Sequence, residues 1–129
     1  MWGSFPGKEI VMASQKFIRN NYDSVPAYEP PGHSGTVNHR LIGPSYGSEH
    51  LEIIIGEMTP SGGAEPHKHD EFEQSMFVLE GKLHIWTDES DGIFGPGDCV
   101  LFPVGCVHTV DALEYSKFLV IYGPPKEKV

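Results

Sequence analysis

The segment HKHDEFEQ, residues 67–74, constrains the fold of this chain more than any other, together with GDCVLFPVGCVH, residues 97–108. Side chains alternate between the two faces of a β-strand, so the spacing of His67 and His69 predicts that both imidazoles point to the same side. A third histidine, His108, ends a later apolar segment and could close on them. Three imidazoles that converge inside a β-rich domain are typical of a site for a divalent metal ion.

The composition favours many short strands over helices. Glycine (15) and proline (11) make up about a fifth of the 129 residues, well above ordinary usage, and no long apolar pattern has helical periodicity. The length predicts a single domain. We predict an N-terminal arm with little regular structure over residues 1–36, a β-domain over residues 37–123 and a polar tail over residues 124–129.

Apolar runs and turn residues predict the positions of individual elements. Residues 74–87 are predicted to form a hairpin that turns at Glu80-Gly81. Residues 59–66 are predicted to be a loop that leads to His67. Further strands are predicted over residues 37–43, 51–58, 99–103 and 116–123. Four glycines are interpreted as backbone positions that need a positive φ: Gly63, Gly81, Gly97 and Gly105.

Two motifs in the chain resemble the paired signature of the cupin superfamily of small β-barrels. The residues that match the two motifs are His67, His69, Gln74 and Gly81, then Gly97, Pro103, Gly105 and His108. The resemblance extends over residues 40–123. It departs from the family pattern at Ala112, where an Asn is often found. The resemblance implies an all-β fold, a cupin-type double-stranded β-helix or jelly-roll barrel.

The resemblance also implies a metal-binding set of His67, His69, His108 and one further residue. Glu73 and Gln74 are both candidates for that position, and only one can point inward, since adjacent strand residues face opposite sides. The family spacing, counted back from Gly81, favours Gln74. Met76 would then share the inner face. Hydrogen-bonded core histidines in a barrel without a metal are the alternative interpretation.

Three imidazoles and an amide would leave the charge of a divalent ion uncompensated. Such a site favours Lewis-acid chemistry, which polarises a carbonyl or enol oxygen or lowers the pKa of bound water. The ligand set resembles that of cupins of uronate breakdown. We therefore predict an isomerase-, tautomerase- or lyase-type enzyme acting on a sugar acid or keto acid, with zinc, nickel, manganese or iron bound. An iron-dependent dioxygenase and a non-catalytic small-molecule binding module are the alternatives.

Several other residues are candidates for substrate binding or proton transfer. Arg40 and Asn38 share a strand face and could hold a substrate carboxylate by bidentate hydrogen bonds, although an ion pair at the surface is the alternative for Arg40. Met76 is a candidate for contact with substrate. Tyr122 and Glu73 are candidates for the acid or base, and packing is the alternative for the tyrosine.

The charge of the chain limits its partners. A formal net charge of −9 argues against nucleic acid and anionic membranes, because no basic stripe exists to neutralise phosphates. No apolar run approaches the length of a membrane span, and the first residues lack the apolar core of a signal peptide. Cys99 and Cys106 are too few for a disulfide scaffold. We predict a cytoplasmic protein, a homodimer by analogy with the family, whose ligand is a small anionic molecule.

Overall fold

A computed structural model describes residues 15–129, without the side chains at positions 61 and 63. In this part of the chain, nine strands and one short 3-10 helix follow one another. The strands are β1 (Ala27–Tyr28), β2 (His33–Ile42), β3 (Glu52–Ala64), β4 (Glu73–Glu80), β5 (Leu83–Trp86), β6 (Asp91–Phe94), β7 (Cys99–Phe102), β8 (Thr109–Ala112) and β9 (Ser116–Gly123). The 3-10 turn covers Pro44–Tyr46, between β2 and β3.

The strands form two antiparallel sheets. The large sheet has the order β1-β2-β3-β9-β4-β7, and the small sheet has the order β6-β5-β8. Strand β3 is next to β9, far along the chain, so the sheets are wound by long connections of the jelly-roll kind. The predicted all-β jelly roll is confirmed, although the ladders of the described residues make two sheets and not one closed barrel.

The core lies between the two sheets, and strand alternation decides which side chains enter it. In β9, Phe118, Val120 and Tyr122 are buried, while the residues between them are less so. In β4, Gln74, Met76 and Val78 are buried in the same way. All of these side chains except Gln74 meet Leu83 and Ile85 of the small sheet in one apolar cluster. The inner face predicted for β4 is therefore confirmed.

The prediction that residues 74–87 form a hairpin is wrong, because its two strands do not pair with each other. Strand β4 pairs with β7 and β9, whereas β5 pairs with β6 and β8. At Lys82 the backbone N–H donates to Ser116 Oγ at 3.0 Å, and the carbonyl accepts from the N–H of Leu113 at 2.9 Å. The turn is therefore held by the β8–β9 connection, and the chain crosses from one sheet to the other.

Two predicted boundaries also differ from the structure. Strand β2 begins at His33, four residues before the predicted start, and β3 runs to Ala64 through most of the predicted loop. The extra lengths pair with each other, His33 opposite Ala64, across a register shift between Ser34 and Thr36. The division into arm, domain and tail stays a prediction, and residues 1–14 lie outside the described part of the chain.

Within residues 15–129, no helix has the length and apolar character needed to cross a bilayer.

Gly81 occupies the turn that carries the chain between the sheets. Its φ is 90°, and Gly97 and Gly105 also have positive φ, as predicted. The prediction for Gly63 stays a prediction, because position 63 is described only as part of β3. A Cβ at Gly81 would lie 2.2 Å from the Tyr115 carbonyl oxygen and 2.3 Å from Ser116 Oγ, whereas a Cβ at Gly97 would meet nothing within 4 Å.

We expect Gly81→Ala to destabilise the protein much more than Gly97→Ala. Both changes force alanine into the left-handed region, at a cost of roughly 1 kcal/mol, and only Gly81→Ala adds a collision with backbone. The free energy of unfolding measured in urea provides the comparison. Equal losses of unfolding free energy in the two variants would contradict the close contact of Gly81 with the β8–β9 connection.

Candidate metal site and cavity

The three predicted histidines meet at one end of the space between the sheets. His67 and His108 form an isolated antiparallel bridge: the N–H of His108 donates to the carbonyl of His67 at 2.9 Å, and the reverse bond measures 3.2 Å. His69 follows in the connection to β4, so the two histidines do not share a strand as predicted. They nevertheless converge, and the ligand atoms of all three lie within 4.8 Å of one another.

The hydrogen bonds of His67 and His108 leave the Nε2 atoms free to bind a metal. His108 Nδ1 lies 3.0 Å from the Cys106 carbonyl oxygen, and His67 Nδ1 lies 3.1 Å from that of Glu65. A carbonyl only accepts, so both Nδ1 atoms carry the proton, and the lone pair is on Nε2. Among the described residues, the buried Nε2 of His108 has no hydrogen-bond partner. Backbone bonds of this kind orient imidazole ligands in metal sites.

Burial keeps the imidazoles of His69 and His108 in the neutral form that a metal requires. It lowers the pKa of His108 to about 4, more than its hydrogen bond to Cys106 raises it. The pKa of His69 is also lowered, again mainly by burial. The His108 ring stacks on Phe102 with 4.0 Å between the ring centroids. At neutral pH these two side chains are therefore uncharged nitrogen donors, and the histidine cluster fits a divalent ion.

Gln74 points into the site, and Glu73 does not. The Gln74 side chain is buried, with Oε1 3.0 Å from His69 Nε2, whereas Glu73 is exposed on the opposite face of β4. Glu73 is therefore corrected as a candidate acid or base, because strand alternation directs it away from the histidines. The His69–Gln74 hydrogen bond joins two of the predicted ligands directly, so a metal that binds either of these two atoms displaces it.

A cavity of about 320 Å³ opens next to the histidines. The predicted substrate-binding residues Asn38, Arg40 and Met76 line it, and so does Tyr122. Burial raises the pKa of Tyr122 far above its ordinary value, so the hydroxyl keeps its proton at any physiological pH. The cavity therefore combines nitrogen donors at one end with a protonated phenol and a guanidinium.

Arg40 forms an ion pair, but with a buried partner. Its Nε lies 2.8 Å from Oε2 of Glu52, a side chain with no measurable exposure, and its Nη1 lies 3.1 Å from Glu127 Oε2. Nη2 donates to the Tyr28 hydroxyl at 3.0 Å. The ion pair predicted for Arg40 is therefore present, but it is made with a buried carboxylate and not at the surface. The guanidinium lines the cavity, and its donors are engaged by two carboxylates and the Tyr28 hydroxyl.

The C-terminal segment, residues 124–129, contributes to the lining of the cavity. Its interpretation as a polar tail did not predict this. The backbone N–H groups of Lys126 and Glu127 donate to Glu52 Oε1 at 2.9 and 2.8 Å. The side chains of Lys126, Glu127 and Lys128 all contribute to the cavity lining. Nothing in the sequence PPKEKV indicates this, because the contact is made across the sheet with a residue 74 positions earlier.

His33 is the second residue that the sequence did not reveal. Its ring centroid lies 5.6 Å from that of His67, it lines the cavity, and its Nδ1 is buried without a partner among the described residues. Burial lowers its pKa. The register shift at Gly35, where φ is 63°, breaks the alternation that regular pairing would give. An added Cβ there would lie 2.5 Å from the Gly62 Cα.

The comparison with known families agrees with this architecture. Residues 54–122, more than half of the chain, match the protein family described as the cupin domain. This protein belongs to the cupin family. Within the match lie His67, His69, Gln74 and His108, so the sequence resemblance is confirmed at the level of the family.

Known proteins similar to this cupin include one curated relative and several solved structures. Quercetin 2,3-dioxygenase of Bacillus subtilis (strain 168) is 26% identical over 94 residues, which are 70% of this chain and only 28% of that protein. The polyketide cyclase RemF from Streptomyces resistomycificus has a TM-score of 0.74, with 23% identity and 88% of each chain covered. KdgF from Halomonas sp. has a TM-score of 0.72 and 19% identity, covering 85% of this chain and 96% of that one. At these identities the two structures support the fold alone.

We expect Gln74→Ala to reduce metal retention, and Glu73→Ala to leave it unchanged. Only the amide lies beside the histidines, so its loss should weaken metal affinity at least about tenfold, by the scale of changes around metal ligands. Elemental analysis after reloading and dialysis measures the retained metal. Thermal unfolding in excess chelator serves as the folding control, and the reverse order of the two variants would show that the inner face of β4 is assigned wrongly.

Proposed function

We propose that this cupin is an enzyme that uses one divalent metal ion on a small anionic molecule. His67, His69 and His108 would hold the ion, with Gln74 as a fourth ligand. The free, buried Nε2 of His108 beside a cavity is the observation that carries the proposal. The ion would supply Lewis-acid polarisation of a substrate oxygen. Sugar acids and keto acids are the first substrates to test, in isomerisation, tautomerisation or lyase reactions.

The charges around the cavity support an anionic substrate. The proposed ligands include no carboxylate, so they leave the charge of the ion uncompensated. Three cations, Arg40, Lys126 and Lys128, line the same cavity as only two carboxylates, Glu52 and Glu127. Both carboxylates bind Arg40. Because Glu71 pairs with Lys128 in turn, Lys126 is the lining cation without an ion pair in residues 15–129, and its charge favours a negatively charged ligand.

Tyr122 is the residue that we propose for hydrogen bonding or proton donation to the substrate. Its hydroxyl keeps the proton because burial raises the pKa. Glu52 and Arg40 are among the charged groups that act on it, so it belongs to the polar part of the cavity. Asn38 would position a substrate oxygen near it, Arg40 would hold the polar end of the cavity in place through its carboxylate partners, and Met76 would pack against the substrate body. Each of these side chains lines the cavity.

An oxygen-consuming reaction is the second candidate. It is favoured by the similarity to quercetin 2,3-dioxygenase over 70% of the chain. The amide of Gln74 in place of a carboxylate counts against it, since neutral ligands stabilise a ferric ion less well. Bound iron together with oxygen uptake would favour this candidate over the Lewis-acid reaction.

We expect metal removal to abolish turnover and Tyr122→Phe to lower it without loss of metal. The phenylalanine keeps the packing and removes only the hydroxyl, and general acid groups contribute about 100-fold or more. Turnover is followed by NMR with a panel of keto acids and sugar acids, using protein with its metal content measured. A panel member that binds and leaves unchanged would indicate a binding module, and full activity of Tyr122→Phe would exclude the role of the hydroxyl.

We also propose that the protein is a homodimer joined by the outer face of the large sheet. Apolar side chains on that face are between 38% and 55% exposed: Val37, Phe77, Leu79, Leu101 and Ile121. They represent roughly 400 Å² of apolar surface, within the size range of the largest apolar patch on a monomer, which is often functional. With a polar rim added, a face of this size approaches the roughly 800 Å² per partner of a standard interface.

We expect Phe77→Glu to convert the dimer into a monomer, whereas Ile93→Glu should not. Ile93 is 58% exposed but lies in β6 of the small sheet, so it controls for an added charge at an exposed apolar position. Analytical ultracentrifugation measures the mass in solution. A monomeric wild-type protein, or a dimer that survives Phe77→Glu, would contradict the proposed interface.

A further inference from the structure

We propose that Lys126 binds the anionic oxygen group of the ligand, and that the rest of this ligand is apolar, as in an aromatic carboxylic acid. The inference rests on the proposed function for the anionic class of substrate, and it narrows that class by favouring aromatic acids over sugar acids. It assigns the recognition of the anion to the C-terminal segment, away from the metal ligands.

The backbone of Lys126 is fixed at the edge of the cavity. Its N–H donates to Glu52 Oε1 at 2.9 Å, and the next N–H, of Glu127, donates to the same oxygen at 2.8 Å. Glu52 is fully buried and also bound to Arg40. A buried carboxylate that accepts several hydrogen bonds is costly to release, so the segment that carries Lys126 is held in place before any ligand arrives.

The ammonium group of Lys126 faces the cavity and is not neutralised. Its Nζ lies 5.6 Å from the centroid of the Tyr122 ring, at the long end of the range for a cation–π contact. Among the ion pairs of residues 15–129, Arg40 takes Glu52 and Glu127, and Lys128 takes Glu71 at 3.2 Å, but none involves Lys126. Of the three cations at the cavity, Lys126 is therefore the one whose charge is available to a ligand.

Burial lowers the pKa of Lys126, while Glu52 raises it. The ammonium has therefore lost part of its hydration. Pairing of Nζ with a carboxylate or phenolate oxygen therefore removes less water from the ammonium than it would at an open surface. The lower cost of desolvation makes the pairing more favourable.

The walls of the cavity determine the rest of the ligand. Besides the histidines, the Arg40–Glu52 cluster and polar side chains such as Thr36 and Asn38, the cavity has a large apolar lining: Ile54, Met58, Met76, Val110, Phe118 and Val120. A sugar acid would bury several hydroxyl groups against these side chains, and each unpaired hydroxyl costs about 1–3 kcal/mol. An aromatic ring would instead gain from burial, and methionine sulfur contacts rings favourably. The cavity of about 320 Å³ accommodates a ligand of one or two rings.

Binding of 1-naphthoate tests the inference, with 1-naphthamide as its neutral counterpart and D-galacturonate as a polar acid. We expect wild-type protein to bind 1-naphthoate at least about tenfold more tightly than the other two. Lys126→Gln should weaken 1-naphthoate binding about tenfold and leave 1-naphthamide unchanged, and Lys126→Arg should restore it. Lys117→Gln is the matched control, because Lys117 lies over the Tyr22 ring, 4.4 Å from its centroid, and outside the cavity lining. Calorimetry gives the dissociation constants.

If Lys126 only packed on Tyr122, Lys126→Gln would weaken the binding of 1-naphthoate and 1-naphthamide equally, or it would lower the melting temperature with no effect on binding. Either result would overturn the inference, and so would tighter binding of D-galacturonate than of 1-naphthoate. Every titration is repeated after chelator treatment. If the charge-dependent binding persists and no metal-dependent turnover is found, the inference stands and the proposed enzyme fails. If metal-dependent turnover is found but Lys126→Gln binds 1-naphthoate normally, only the inference fails.

Discussion

The alternation of side chains along paired strands is the constraint on which the rest of this structure depends. Because every second residue of β4 points inward, Gln74 joins the histidines while Met76 and Val78 join the core. The same rule in β9 places Phe118 and Val120 in the core and Tyr122 in the cavity wall. A shift of one residue in either strand would exchange the inner and outer sets. Core and candidate site are thus specified together, by one register.

The sequence predicted those parts of the protein that are encoded by local spacing. The inward face of Gln74 and the positive φ of Gly81 follow from residues close together in the chain. The histidine triplet was predicted from two separate motifs, and it forms although His67 and His69 do not share a strand. The pairing of β4 was predicted wrongly, since a strand–turn–strand pattern does not reveal that the two strands enter different sheets. Only the distant β8–β9 connection, which binds Lys82, decides between the two arrangements.

The polar end of the cavity was beyond prediction for a related reason. It depends on Glu52, whose carboxylate collects Arg40 and the amides of Lys126 and Glu127. A buried charge is tolerated only when such partners are supplied, but the sequence of β3 shows merely a charged residue at the start of an apolar strand. His33 was missed because an irregular register brings it to the cavity.

The two ends of the cavity come from different stretches of the chain, and this separation bears on how the protein can diversify. The imidazoles lie in the connections that flank β4 and β8, whereas the Arg40 and Lys126 end is built from β2, β3 and the C-terminal segment. The two ends share no hydrogen bond among those cited for them, so we expect a substitution at one end to leave the hydrogen bonds of the other intact. Libraries confined to residues 124–129 would therefore sample new ligand preferences on an unchanged histidine cluster. With the proposed role of Lys126, ligand choice would be a modular trait of this chain.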